Sequence, residues 1–229
     1  MSIAGSDLRE RQDALRVIDF RTKEERVADF LREGIISGQF PRGSRLKQAE
    51  IAEQLQLSIT PVREALKLLE AEGYVLGNSY RGVRVAPFDA SASEEILELR
   101  MTLESRLLRG AAEKATSRDF TELLALAAEF EQAFDRGDRA GARGINYRFH
   151  RRLYSIADMP QTLHFVQILW ARYPFDLINA VAGRGQEAAR EHDEILRALL
   201  NGDTAAAMLA LHKHIETGWS VLKRPAERA

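Results

Sequence analysis

Three histidines and one arginine carry the strongest chemical signal in this chain of 229 residues. All five of its histidines lie after residue 149. His150 follows Asn146 by one helical turn and precedes Leu153 by three residues. His192 runs with Ile195, Leu196 and Leu199, and His214 sits beside Leu211, Ile215 and Gly218. At 3.6 residues per turn these spacings put each histidine on the apolar face of its own helix. Packing three such faces together brings three imidazoles to one place. A single buried histidine is ordinarily a structural residue, hydrogen-bonded in a core. Three of them, with an amide, Asn146, one turn before the first, shift that balance toward a divalent cation held by His150, His192 and His214. Neutral imidazole suits zinc, nickel, copper or iron, with zinc or nickel foremost here. Such a site keeps positions open for an incoming carboxylate. The competing reading is a set of buried, hydrogen-bonded structural histidines. His212, beside Glu216, and His164 read as surface or packing residues.

Arg100 is the second anomaly. Ile96, Leu103 and Leu107 define an apolar helical stripe, and Arg100 falls within it, four residues after Ile96. A buried guanidinium requires an anion beside it. Two partners are open: Glu104 one turn on, as an internal salt bridge, or the carboxylate of a ligand gripped in the guanidinium fork.

These side chains need helices to position them, and the sequence supplies two sets. The stretch "LSITPVREALKLLEAEGYV", Leu57 to Val75, puts Val62, Ala65, Leu66 and Leu69 on one face and Thr60, Arg63 and Lys67 on the other. Ser58 or Thr60 is suited to cap its start, and Pro61 fits only a first turn. Upstream, Thr22 and Glu25 form a capping box before a stripe of Val27, Phe30, Leu31 and Ile35 that ends at Ser37-Gly38. A loop, "QFPRGSRL", leads to a short helix over Gln48–Leu55 that buries Ile51, Ala52 and Leu55. The spacing is that of a helix-turn-helix. Two β-branched runs, Tyr74–Leu76 and Val83–Val85, flank the turn "GNSYRG" and read as a hairpin. Three helices plus a β-hairpin make a winged helix over residues 21–88, closed by Pro87. Residues 1–20 are charged, lack an apolar stripe and read as a flexible arm. From Ser91 to Leu222 no strand signal occurs. Six helices are expected, at about 93–115, 118–136, 139–157, 160–173, 185–201 and 203–222, with the path of 174–184 left open. The fold class is therefore mainly α: an N-terminal winged helix-turn-helix, then an all-α helical bundle over residues 89–229.

Composition narrows the function classes. The chain is 45% hydrophobic, enough for real cores, and has no cysteine, so thiolate ligands, thiol nucleophiles and disulfides are excluded. Its net charge of −1 makes any nucleic-acid contact a local surface, not a global field. No apolar run approaches the ~20 residues of a membrane helix, and the start of the chain does not look like a secretory signal. A cytoplasmic protein without membrane contact is expected.

With these residues in view, "LREGIISGQFPRGSRL", "IAEQLQLSITPVREALKLLEAEGYV" and "YRGVRVAPF" resemble the GntR family of bacterial winged-helix regulators. The later stretches "LELRMTLES", "NYRFHRRL", "EHDEILRALLNGD" and "LALHKHI" resemble its FadR-like branch, whose C-terminal bundle is called FCD. The six-helix count is similar to the VanR subgroup. The resemblance implies a homodimer formed through the bundle, a palindromic double-stranded DNA operator, and a small organic acid as effector, most often of a repressor. It implies DNA contacts from Ser58, Thr60 and Arg63 at the recognition helix and from Arg81 and Gly82 at the wing. The family usually carries Ser-Arg-Thr where this chain has Ser58-Ile59-Thr60, so Ile59 replaces a guanine-reading arginine with an apolar contact. Many FCD members bind a divalent metal through an Asp and a His one turn apart, then a His in each of two later helices. The spacings from 146 to 150, 192 and 214 match, with Asn146 in place of the acid. An arginine at the position of Arg100 lines the pocket in that pattern.

Two other functions fit parts of the chain. Three histidines with an open position also describe the zinc of a hydrolase. That reading needs a base near the metal, and Glu191 adjoins His192 at about 100° around the helix. A metal-free regulator whose bundle only dimerises is the third possibility.

Overall fold

The computed structural model describes residues 22–78, 82–88, 93–173, 175 and 183–223. The arm of residues 1–20, Arg81, and most of the open stretch 174–184 lie outside them.

Helix α1, Lys23–Ser37, begins at the expected capping box. The Glu25 N–H donates to Thr22 Oγ1 at 3.2 Å and the Thr22 N–H donates to the Glu25 carboxylate at 2.8 Å, so two donors that a helix start leaves orphaned are satisfied. Helix α2 spans Gln48–Gln54 and α3 spans Ile59–Glu72. Ser58 occupies the cap position of α3, but its side chain makes no capping hydrogen bond. Val62, Ala65, Leu66 and Leu69 are all buried against Val27, Leu31 and Ile35 of α1. A buried ion pair fastens the two helices. Arg32 Nε and Nη2 each donate to a Glu72 carboxylate oxygen at 2.7 Å. Gly73, with φ +85°, ends α3 in the left-handed conformation and turns the chain into the sheet.

Strands β2, Val75–Asn78, and β3, Gly82–Val85, form the expected antiparallel hairpin, with Val75 opposite Val85 and Asn78 opposite Gly82. One difference from the sequence reading is β1, Arg45–Leu46, which lies inside the stretch read as a loop. It pairs with Arg84 and Val83 and makes the sheet three-stranded, in the order β1-β3-β2. Two residues give no periodicity, and their partner lies about forty positions away.

Six helices follow among the described residues: α4 Ser93–Lys114, α5 Ser117–Asp135, α6 Arg139–Ser155, α7 Pro160–Ala171, α8 Arg184–Leu200 and α9 Thr204–Lys223. Their starts obey local chemistry. Thr116 and Asp119 form a capping box at α5, the Asp138 carboxylate accepts from the Gly141 N–H at α6, and Pro160 opens α7, where no N–H is needed. Leu107, Leu108, Phe149, Leu153, Ile195 and Leu211 are fully buried between them. Each such side chain stabilises the fold by about 1.5–3 kcal/mol through burial. Helix α6 occupies the middle: it packs on α4, α5 and α7, and on α1 of the winged helix. No described helix is long and apolar enough to cross a membrane.

Candidate functional site

Helix α3 presents one polar end and face to solvent. Ser58, Ile59, Thr60, Arg63 and Lys67 are all exposed, and Ile59 is 50% exposed although it is a large apolar residue. Lys67 Nζ lies 3.1 Å from Glu64, and Arg63 Nε lies 3.4 Å from the same carboxylate. Exposed pairs of this kind contribute little, so both cations are available to a more strongly charged partner. Gly82 opens β3 with φ +75°, a conformation that favours glycine, and it abuts the Arg45 guanidinium. Arg81 lies outside the described residues. Arg45 and Arg84, directly opposite each other in the sheet, add two exposed cations at the wing base. Sequence reading missed them because Arg45 sits in the short strand that periodicity does not reveal.

In the bundle, α6, α8 and α9 bring His150, His192 and His214 together. All three are buried. His150 Nε2 lies 3.0 Å from His214 Nε2 and 3.3 Å from His192 Nε2, and a ring nitrogen of each lies within 4.8 Å of the other two. A tetrahedral zinc with Zn–N bonds of about 2.0–2.1 Å sets its nitrogens about 3.3 Å apart, so this donor set has the right dimensions for such an ion. Burial pushes all three histidines below their ordinary pKa. For His150 and His192 the neighbouring imidazoles and the Arg184 guanidinium push further, while for His214 the hydrogen bond to Glu191 partly opposes the shift. The rings are therefore neutral at physiological pH, the state with lone pairs to offer. Phe149 stacks on His192 with centroids 4.3 Å apart, and Phe130 meets the same ring edge-on at 5.1 Å.

Arg100 is buried and takes the first of the two partners the sequence leaves open to it. Its Nε donates to Glu104 Oε1 at 2.6 Å, deep in the core. Burial opposes the Arg100 charge, but the Glu104 carboxylate outweighs it and holds the guanidinium pKa above its usual value. Glu104 also accepts from Tyr154 Oη at 2.7 Å and Trp170 Nε1 at 3.0 Å. The guanidinium lies 4.0 Å over the Tyr173 ring, and its Nη1 has no hydrogen-bond partner among the described residues. Arg100, Asn146, His150 and His214, with Tyr147, Trp170 and Phe175, line one cavity of about 20 Å³. That volume admits about one water-sized group. Two imidazoles, the Asn146 side chain and a guanidinium N–H without a partner among the described residues thus border one small space.

Glu191 lies about 100° around α8 from His192. It is in fact buried and reaches the site from behind: the His214 Nδ1–H donates to Glu191 Oε2 at 2.8 Å. Arg184, buried at the start of α8, donates from Nη1 to the same oxygen at 2.8 Å and from Nη2 to the His214 carbonyl at 3.2 Å. His212 is the packing residue of the two: it is half-buried, and its Nε2 lies 2.6 Å from Ser105 Oγ and ties α9 to α4. His164 is exposed, as expected.

The two halves touch through the helix that carries the site. From α6, Arg143 Nε donates to the Ser37 carbonyl at 2.6 Å and Arg151 Nη2 donates to Asp29 at 2.7 Å, both on α1. Arg42 of the winged helix donates to the Tyr173 carbonyl at 2.8 Å, below the ring that carries Arg100.

The chain matches two protein families: "Bacterial regulatory proteins, gntR family" over residues 23–85 and "FCD domain" over residues 95–217. It is 30% identical over 180 residues to the "HTH-type transcriptional regulator McbR" of Escherichia coli, covering 76% of this chain and 79% of the relative. It is 28% identical over 199 residues to the "Probable D-xylose utilization operon transcriptional repressor" of Paenarthrobacter nicotinovorans, covering 85% and 86%. The solved structure of E. coli McbR/YncC superposes with a TM-score of 0.78 at 26% identity, covering 89% of this chain and 98% of that one. A winged helix-turn-helix, a helical bundle behind it and matches to both halves agree: this chain belongs to the GntR family, carries a C-terminal FCD domain, and is a DNA-binding transcriptional regulator.

Proposed function

We propose that the chain is a homodimeric repressor that binds a palindromic operator and releases it when a small carboxylate enters a metal-containing bundle. The observation that carries this reading is the shared cavity: His150, His214 and Asn146 line it together with Arg100, whose Nη1 has no partner among the described residues, and His192 completes the imidazole cluster beside it. His150, His192 and His214 would hold a divalent cation, with the Asn146 oxygen as a fourth donor. When bound, the cation supplies a positive centre for an anion. Arg100 binds and orients the carboxylate from the other side through Nη1, while Glu104 and Tyr173 hold the guanidinium in place. The cavity is smaller than a typical organic acid, so a ligand must displace its aromatic walls, Trp170 and Phe175. Displacement there acts on Tyr173 and on α6, and both are bonded directly to the winged helix through Arg42, Arg143 and Arg151.

On the DNA side, Ser58, Ile59, Thr60 and Arg63 face the major groove, with Arg81 and Gly82 at the wing. Ile59 supplies an apolar contact to a thymine methyl where relatives with arginine read guanine. Repression is favoured by the relative described as a repressor. Dimerisation is supported by exposed apolar side chains on the bundle, Leu209 at 73% and Leu99 at 42%. Neither buried carboxylate near the site lines the cavity: Glu104 is satisfied by Arg100, Tyr154 and Trp170, and Glu191 sits behind the His214 ring. A hydrolytic base is therefore not offered by either.

The test is operator binding by fluorescence anisotropy, with a panel of small mono- and dicarboxylates, with and without zinc or nickel. The reading expects one class of acid to weaken operator binding in a metal-dependent way. Operator binding unaffected by every acid, with and without metal, contradicts it.

A further inference from the structure

We infer that Glu191 is the positioning residue of the bundle site, acting through His214, and that Arg184 holds it in place. The inference rests on the reading that His150, His192 and His214 take a divalent cation.

The three imidazoles are not held alike. Among the described residues His150 Nδ1 and His192 Nδ1 have no hydrogen-bond partner, and those rings are held by aromatic packing and by the Nε2 contacts between the histidines. His214 is different, because its Nδ1 lies 2.8 Å from Glu191 Oε2. A carboxylate only accepts, so the proton sits on Nδ1 and the lone pair sits on Nε2, which faces His150 Nε2 at 3.0 Å. Among the described residues, Glu191 is thus the one carboxylate that fixes a tautomer at this site. Arg184 fixes the acceptor in turn: Nη1 grips Glu191 Oε2, and Nη2 grips the backbone carbonyl of His214 itself. Carboxylate, imidazole ring and helix backbone are locked as one unit.

The arrangement also offsets the departure at Asn146. An amide brings no negative charge to the cation, whereas a carboxylate behind a ligating imidazole raises the basicity of its other nitrogen. Glu191 supplies that anion from the second layer, where it does not block an incoming acid.

A purely structural role for the buried Arg184–Glu191 pair is the competing explanation, and three variants of the full chain separate the two. Zinc affinity is measured by competition with a chromophoric chelator, and folding by melting. Glu191→Gln keeps the shape and loses the charge, and the zinc dissociation constant should rise about 10- to 100-fold. The same change in a His214→Ala background should alter zinc affinity by less than about twofold, because its route to the metal is gone. Should Glu191→Gln alone unfold, Glu191→Gln/Arg184→Gln removes both charges together. That variant should fold and still bind zinc about 10- to 100-fold more weakly than wild type. Wild-type zinc affinity in Glu191→Gln or in the paired variant, with His192→Ala abolishing binding, overturns this inference and leaves the metal reading standing. Equal zinc binding by wild type and His192→Ala overturns both.

Discussion

Substituting Arg100 separates its ion pair with Glu104 from its proposed role as a carboxylate clamp. In Arg100→Ala, Glu104 keeps its hydrogen bonds from Tyr154 at 2.7 Å and Trp170 at 3.0 Å but loses the guanidinium at 2.6 Å, its ion-pair partner in the core. The side chains of the pair are 5% and 1% exposed, so solvent cannot take over the role of counter-charge. Removing one member of a buried pair costs about 3–5 kcal/mol. On a chain of this size each kcal/mol moves the melting temperature by about 2–4 °C, so Arg100→Ala should melt about 6–20 °C lower. The paired variant Arg100→Met/Glu104→Gln should behave differently. Glutamine still accepts from Tyr154 and Trp170, methionine fills the volume of the arginine stem, and no charge is stranded. Most of the lost stability should return. The cavity, however, no longer has Nη1. The paired variant should bind operator as tightly as wild type and should ignore carboxylates that release wild type. Thermal melting by circular dichroism and operator binding by anisotropy read the two outcomes separately. A wild-type melting temperature in Arg100→Ala refutes the dependence of Glu104 on Arg100. A wild-type carboxylate response in the paired variant refutes the clamp.

Three further outcomes follow from the exposed end of α3 and from the departure at Asn146. Arg63→Ala should weaken operator binding. A base contact appears as a loss of about 1–3 kcal/mol with relaxed choice at one position, and a phosphate contact as uniform weakening with a shallower salt dependence. Affinity unchanged across sequences removes α3 from the DNA. Ile59→Arg should move the preferred half-site toward guanine at one position while non-specific binding holds, and selection from random duplexes returning one consensus for both proteins contradicts this. Asn146→Asp adds a charge beside the cation. Chelator-treated, it should melt below wild type because the new carboxylate is desolvated, and added zinc or nickel should more than restore it. A variant that metal leaves at its chelated melting temperature contradicts the placement of residue 146.

The parts legible in the sequence are those built from one helix at a time. The stripes of α1 and α3, the Thr22 capping box and the inward placement of His150, His192 and His214 all follow from spacing within a single segment. Less legible is whatever depends on two segments at once. Strand β1 exists only because Arg45 and Leu46 find Arg84 and Val83 across the fold. Glu191 looks misplaced when judged around α8 alone, because its purpose lies on α9, where His214 waits. Arg184 reads as part of a glycine-rich break, yet it is a buried cation whose partners are two turns and one helix away. Arg100 shows the intermediate case. Its burial follows from the stripe, but only the packed structure reveals that Nε serves Glu104 while Nη1 remains for something else.

The most direct test of the whole account is a count of bound metal. Zinc or nickel is titrated into chelator-treated wild-type protein and into His150→Ala/His192→Ala, with bound ion measured by elemental analysis and melting followed on the same samples. The account predicts one ion per chain in wild type, with about 2.7 kcal/mol of added stability once free metal reaches a hundred times the dissociation constant. It predicts neither effect in the double variant. Equal metal content in the two proteins, or a wild type that takes up no ion and melts unchanged, contradicts it.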